Sequence, residues 1–362
     1  MARARRRHIV APFAALFSLV AIAAAQISLA SPAPSPTPKR TPATDQSARA
    51  IDLLRAAMMA DQTTSYVAQV QTIRFGAAGS VATIVKEEHL APNETHKIYL
   101  APENLYGDSV VIRDGNTYSY DAKQKRVVVS HAPSFGSALT YGNLGLLLAN
   151  YRPVIGQPEM IAGRPSLPCA LVNRFTGERV MRLWIDAATR MVLQRETYHA
   201  NGTIGSRVQF ENIRYTNAIP KQVFATPVPA GYALVRGSDT AAPSLDVSRV
   251  LNDAGFNPAG PHYLPEGFTI ISADVSVAKG IKTLHLLYSD GIRSLSLFEN
   301  AANAAPDFGK LQPVSIKVGS RDARYVNDGT TTVLSWKDKG LVFTLVGDLD
   351  VKDLTAIAGS VS

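Results

Sequence analysis

Short β-branched and aromatic runs, split by two-residue turn pairs, leave this chain little choice of fold class. Asp114-Gly115, Asn201-Gly202, Lys279-Gly280, Asp290-Gly291 and Gly319-Ser320 each stand between two such runs. Asp-Gly and Asn-Gly accept the positive φ that type I′ turns need, and a two-residue loop joins only antiparallel neighbours. There is no βαβ rhythm and no glycine-rich dinucleotide motif. The prediction is a mainly β (α+β) protein built of antiparallel sheets.

Many of these strands are apolar on both parities. "SYVAQV" sets Tyr66, Ala68 and Val70 on one side, with Val67, and further on Ile73 and Phe75, on the other. "MRLWID" sets Trp184 on one face and Leu183 and Ile185 on the other. A sheet apolar on both faces must cover both or wrap around something apolar. A half-closed barrel with a helix in its mouth does this and leaves an apolar cavity. Tyr66, Val70, Tyr99, Tyr106, Trp184, Tyr198 and Phe210 are the candidate wall residues; the competing reading is that they are ordinary core. The helix is expected in "SARAIDLLRAAMMA", where Ile51, Leu54 and Met58 form a stripe after Ser47 as N-cap. "LTYGNLGLLLANY" reads as a short helix or covering segment, and "DLTAIAG" as a final helix that buries Leu354 and Ile357.

The N-terminus reads as an export signal, residues 1–30. Arg3, Arg5, Arg6 and Arg7 precede the apolar "IVAPFAALFSLVAIAAA", and "SLA" at Ser28–Ala30 fits a cleavage site. An uncleaved anchor is the competing reading. Residues 31–46 are Pro-rich and expected to be an extended tether. The formal charge of +8 falls to +4 once those four arginines are removed, too mild for a nucleic-acid surface. The one cysteine, Cys169, sits in apolar "LPCALV" and is expected to be a small buried hydrophobe. Residues 47–229 then form one domain and 262–362 a second. Residues 230–261, rich in Gly, Ser, Ala and Pro, form the connection, with one helical patch, "LDVSRVLNDAG".

The chain shows no nucleophile elbow, zinc-protease helix, P-loop or C-x-x-C pair. His89 and His96 flank a turn among Glu87, Glu88 and Glu94, but their spacing fits no ligand frame. "YSDG" could hold a nucleophilic Ser289 beside Asp290, yet no base stands near, and a turn explains it. No catalytic residue, metal or cofactor is assigned, and the chain is read as a binding protein rather than an enzyme.

"LLANYRPVIGQPEMIAGRP", "RVMRLWIDAATRMVLQRETYHANGTIGSRVQFENIRY", "LPEGF" and "LHLLYSDGIRSLSLFEN" follow one another along the chain. In that succession the chain resembles the RseB/MucB family of periplasmic sigma-E regulators. The first domain also resembles the lipoprotein carrier LolA in "VIRDGNTYSYDAKQKRV" and "VQFENIRYTNAIPKQVF". The resemblance implies a LolA-like open half-barrel with covering helices, then a smaller antiparallel β-rich domain with a C-terminal helix, of RseB C-terminal type. It implies a protein outside the cytoplasmic membrane that binds the extracytoplasmic part of a membrane anti-sigma factor and restrains its proteolysis. A lipid or acylated ligand in the half-barrel would weaken that grip. The contact surface it implies includes the second domain's hairpin, with Tyr288, Asp290, Gly291 and Arg293 as candidates. A second copy of the chain is a further candidate partner. The alternative is a LolA-type lipid or lipoprotein carrier, which needs no second domain of this kind.

Overall fold

A computed structural model of the chain describes residues 43–76, 79–131, 144–199, 201–236, 244–278, 280–301, 308, 311–327 and 331–362. The export signal and most of the Pro-rich tether lie outside the described residues. The first helix, α1 (Ala43–Met59), begins earlier than Ser47, which is therefore an interior residue rather than its cap. It also takes in the tether's last four residues.

Strands β1 (Tyr66–Gly76), β2 (Gly79–Leu90), β3 (Glu94–Ala101), β4 (Ser109–Arg113), β5 (Asn116–Asp121) and β6 (Arg126–His131) follow α1. Helix α2 (Leu144–Asn150) leads into β7 (Tyr151–Ile155), β8 (Glu159–Ile161) and β9 (Arg164–Asn173). Strands β10 (Arg179–Asp186), β11 (Val192–Tyr198), β12 (Ile204–Tyr215) and β13 (Ala233–Arg236) complete the sheet. Its order is β13-β6-β5-β4-β3-β2-β1-β12-β11-β10-β9-β7, with β8 on β9. The path ends at two different strands and does not close, which gives an open half-barrel. Asp114 and Gly115 have φ of 50° and 71° between paired Arg113 and Asn116, as a type I′ turn requires.

The two-parity pattern has a direct physical outcome: both faces of the sheet are covered. On the inner face Leu53, Leu54, Ala57 and Met58 of α1 and Leu147 of α2 bury Cys169, Leu171, Met181, Leu183 and Ile185. On the outer face Val67 packs with Val111, Ile219 and Phe224. Cys169 is fully buried, and that burial pushes its thiol pKa up to about 12, so it is held as a neutral apolar side chain.

The connection 230–261 is not a bare linker. It supplies β13, which runs parallel to β6, the one departure from antiparallel pairing in this sheet among the described residues. It also supplies α3 (Val247–Asp253), whose Val250 enters the core of the second sheet. That sheet comprises β14 (Thr269–Ala278), β15 (Ile281–Ser289), β16 (Ser294–Asn300), β17 (Val314–Val318), β18 (Arg321–Asn327), β19 (Thr332–Asp338) and β20 (Leu341–Gly347). Its order is β14-β15-β16-β20-β19-β18-β17. Helix α4 (Val351–Gly359) packs Leu354 and Ile357 onto it, against Leu284, Leu295, Leu297 and Leu345. Strand β16 alternates without a slip: Leu295 and Leu297 face the core, and Phe298 stacks on His285 at 4.4 Å on the other face.

The same alternation points Glu299 into the core. It is fully buried; Oε2 accepts from the Ala259 amide at 2.9 Å, and Oε1 has no partner among the described residues. Burial raises its pKa to about 7. A carboxyl raised in this way contributes stability that is complete below its unfolded value and is lost as pH rises through about 7. Glu299→Gln is expected to flatten this loss and to be more stable than wild type at pH 8 by about 1–3 kcal/mol. Denaturant unfolding at pH 5 and pH 8 checks it; equal pH dependence in the two proteins would refute it.

Candidate functional site

The inner face of the half-barrel is not filled along its whole length. Where α1 ends, a cavity of about 380 Å³ opens between Ala57 and Met58 and strands β1–β3 and β10–β12. That volume lies in the range of small-molecule sites, about 300–1,000 Å³. Val70, Val85, Leu183, Met191, Val192, Val208 and Phe210 make its apolar wall. Tyr66 closes the end, edge-on to Phe210 at 5.5 Å between ring centres. Its hydroxyl donates to Glu87 at 2.8 Å, and Lys97 pairs with the same carboxylate at 3.2 Å. Burial and the neighbouring Glu87 raise the Tyr66 pKa well above its ordinary value, so the phenol stays a donor.

Four of the seven sequence-predicted wall residues meet here: Tyr66, Val70, Tyr99 and Phe210. The other three do not. Tyr106 lies outside any strand and is 69% exposed. Trp184 has the outward parity of β10; its indole donates to Glu159 at 2.7 Å and carries the Arg182 guanidinium on its ring. Tyr198 has the outward parity of β11, where its hydroxyl donates to Glu196 and Arg179 covers its ring. Parity decided both cases, because an aromatic on a strand is no guide to which face it takes. Lys97, Glu87 and Arg195 line the cavity and were not anticipated. The missed signal is a cation at Arg195, on the parity of buried Leu193.

His89 is taken up by structure, with Nδ1 at 2.9 Å from the Thr95 hydroxyl and Nε2 at 2.7 Å from the Asp61 carbonyl. Among the described residues no group of three or more His, Cys, Asp or Glu is placed to hold a metal.

The hairpin residues expected on a contact surface lie instead at a joint inside the molecule. Tyr288 is 6% exposed and faces the second core; Asp290 is 1% exposed. Asp290 does not form a type I′ turn. Ser289 pairs with Ser294, and the four-residue loop between them is built on the Asp290 carboxylate. That group accepts from the amides of Ile292 at 3.0 Å and Arg293 at 2.8 Å, and from Arg293 Nε at 2.9 Å. Its remaining acceptor capacity is taken by Tyr151, whose hydroxyl donates at 2.6 Å from the start of β7. Asn150 donates to the carbonyls of both Asp290 and Gly267 at 2.9 Å. The "YSDG" loop is therefore the clamp between the two sheets. Ser289 Oγ donates to the Arg293 carbonyl at 2.8 Å, a structural use of that hydroxyl.

Gly291 has φ of 99°, and a Cβ there would stand 2.7 Å from the backbone N and Cα of Leu147. Backbone of α2 cannot yield as a flexible side chain can. Gly291→Ala is expected to lower unfolding free energy by about 2–3 kcal/mol, from strain plus overlap. Thermal or denaturant unfolding measures it; a loss under about 0.5 kcal/mol would mean that α2 does not press on this loop.

Comparisons with known proteins bear on both halves. Residues 104–228 match the family model of the MucB/RseB N-terminal domain. Residues 259–361 match a domain of unknown function, DUF4367. The complex of Pseudomonas aeruginosa MucA and MucB aligns at TM-score 0.59 and 18% identity, over 87% of this chain and 98% of that one. MucB in complex with MucA(peri) aligns at TM-score 0.56 and 18% identity, over 86% of this chain and 98% of that one. MucB alone aligns at TM-score 0.51 and 17% identity, over 87% and 98%. At these identities the likeness is one of fold. No curated protein matches the chain. No helix among the described residues is long and apolar enough to cross a membrane. The chain thus carries a match to the MucB/RseB N-terminal domain at 104–228 and shares the fold of MucB over 98% of that protein's chain.

Proposed function

We propose that the chain is an exported, extracytoplasmic regulator that binds the outer part of a membrane anti-sigma factor and restrains its proteolysis. The half-barrel cavity takes a lipid or acylated ligand that weakens this grip. The observation that carries the reading is the fold of MucB, matched across both sheets rather than the half-barrel alone, because MucB is the partner of MucA in the aligned complexes. A carrier of LolA type needs no second sheet, so the second sheet and its clamp favour the regulator. The boundaries 47–229 and 262–362 serve as its two working parts.

The arrangement gives the ligand a route to the partner. Met58 lines the cavity and shares one core with Leu147 and Tyr151, and Tyr151 grips Asp290. A ligand shifts partner binding only through a difference in affinity between the two states. About 1–3 kcal/mol of coupling, roughly 5–150-fold, suffices for a switch.

The test is a pull-down from solubilised membranes with the chain lacking residues 1–30. A single-span protein whose cytoplasmic part holds a sigma factor should be recovered, should resist proteolysis while bound, and should be released by an acylated ligand. Recovery of no such protein by folded bait would overturn the regulator reading. Transfer of a bound acyl chain to an acceptor, with no protection of a partner, would favour the carrier.

A further inference from the structure

One cation in the cavity has no answering group among the described residues. Arg195 lies on the inner face of β11, between Leu183 of β10 and Val208 of β12. It lines the cavity, is largely withdrawn from water, and makes no hydrogen bond or ion pair with any described residue. The other charges there do not compensate it. Glu87 is engaged by Tyr66 and Lys97, and Asp61 is an exposed rim residue with no ion pair to Arg195. Outward-facing arginines of the same sheet are treated differently: Arg207 pairs with Glu196 at 2.6 Å, and Arg182 pairs with Glu159.

Burial disfavours the charged guanidinium and lowers its pKa, yet arginine keeps its proton at any ordinary pH. An unpaired buried charge is expensive unless something arrives to pair with it. The planar fork of arginine matches a carboxylate or a phosphate with two parallel hydrogen bonds. The surrounding wall is aliphatic and aromatic and suits a hydrocarbon chain.

We infer that the cavity takes an anionic amphiphile, an apolar chain ending in a carboxylate or phosphate, whose head is held by Arg195. This rests on the proposed acyl-binding role of the half-barrel and names the ligand class. The same chemistry could come from a free fatty acid or from a phosphorylated lipid, so both heads are tested.

The experiment is displacement of a neutral fluorescent apolar probe by palmitate, hexadecyl phosphate and hexadecanol, each below its micelle concentration, on the chain lacking residues 1–30. At least one of the two anions should displace the probe on the order of 10–100-fold more tightly than the alcohol, the strength of charge-assisted hydrogen bonds. Which anion binds tighter identifies the head. Arg195→Gln should erase that preference while leaving hexadecanol binding unchanged, which also reports a folded cavity. Arg195→Lys, with charge but no fork, should retain part of it. Equal binding of alcohol and both anions by wild type, or a preference that survives Arg195→Gln, overturns the inference and leaves the cavity reading standing. If no amphiphile displaces the probe, the cavity reading falls and the inference with it.

Discussion

Truncation of Asp290 to alanine is expected to lower the unfolding free energy by about 3–5 kcal/mol, because it removes one partner of a buried charge pair. The carboxylate receives Arg293 Nε, two loop amides and the Tyr151 hydroxyl. In the alanine variant the guanidinium keeps its desolvation without its counter-ion, and the Tyr151 hydroxyl is left buried without an acceptor. Tyr151→Phe removes only the hydroxyl and should lose about 1–2 kcal/mol. The double variant then measures the coupling across the joint. A coupling of about 1 kcal/mol or more would show that the two sheets stabilise each other through this bond. Denaturant unfolding at fixed pH is the measurement, and an Asp290→Ala loss below about 1 kcal/mol would remove Asp290 from the centre of the clamp. The clamp also predicts a change in cooperativity. With it weakened, the two sheets should begin to unfold in separate steps, seen as non-coincident transitions by different probes.

What could be read from the sequence was what depends on neighbours in the chain. Asp114-Gly115 makes the turn expected of it because both residues accept positive φ, a local property. The alternation of β1 and β10 announced a sheet covered on both faces, and Val67 and Leu183 lie in opposite covers. Asp290-Gly291 shows the limit. The dipeptide has the same local chemistry, yet Asp290 forms a wider loop because its carboxylate has a partner 139 residues away. Nothing near position 290 encodes Tyr151. The same blindness placed Trp184 and Tyr198 in the cavity. Their strands were read correctly, but both residues sit on the outward parity, where Glu159 and Glu196 accept from the indole and the hydroxyl. Arg195 is the converse case: a charged residue on the apolar parity of Leu193, whose lack of a counter-ion among the described residues only the folded sheet reveals. The stretch Tyr66–Tyr99, which supplies one wall of the cavity, also lies outside the segment 104–228 that matches the family model.

Asp186, the aspartate of "RLWID", is the counterpart of Asp290 inside the half-barrel, and its loss carries the second large effect. It is 1% exposed. One oxygen accepts from the amides of Ala188 at 2.8 Å and Thr189 at 3.1 Å, which fixes the turn from β10 toward β11. The other receives Arg164 Nε and the Tyr215 hydroxyl, the latter at 3.1 Å, so the carboxylate ties β9, β10 and β12 together. Burial alone would raise its pKa, but Arg164 and the two amides outweigh burial and hold it below the usual carboxylate range. A depressed carboxyl contributes stability that is present above its unfolded value, about 3.9, and is lost as pH falls through the folded one. Asp186→Ala is therefore expected to lower unfolding free energy by about 3–5 kcal/mol at pH 7. Asp186→Asn keeps an acceptor for the amides and should lose less. Its deficit relative to wild type should shrink below about pH 4, where the carboxyl of the unfolded wild-type chain takes up its proton. Urea unfolding at pH 7 and pH 3 checks both statements; a deficit that is constant with pH would show that the ion pair with Arg164 contributes nothing. The turn that Asp186 fixes runs directly into Met191, a wall residue of the cavity. Loosening it should therefore weaken binding of apolar ligands as well as stability.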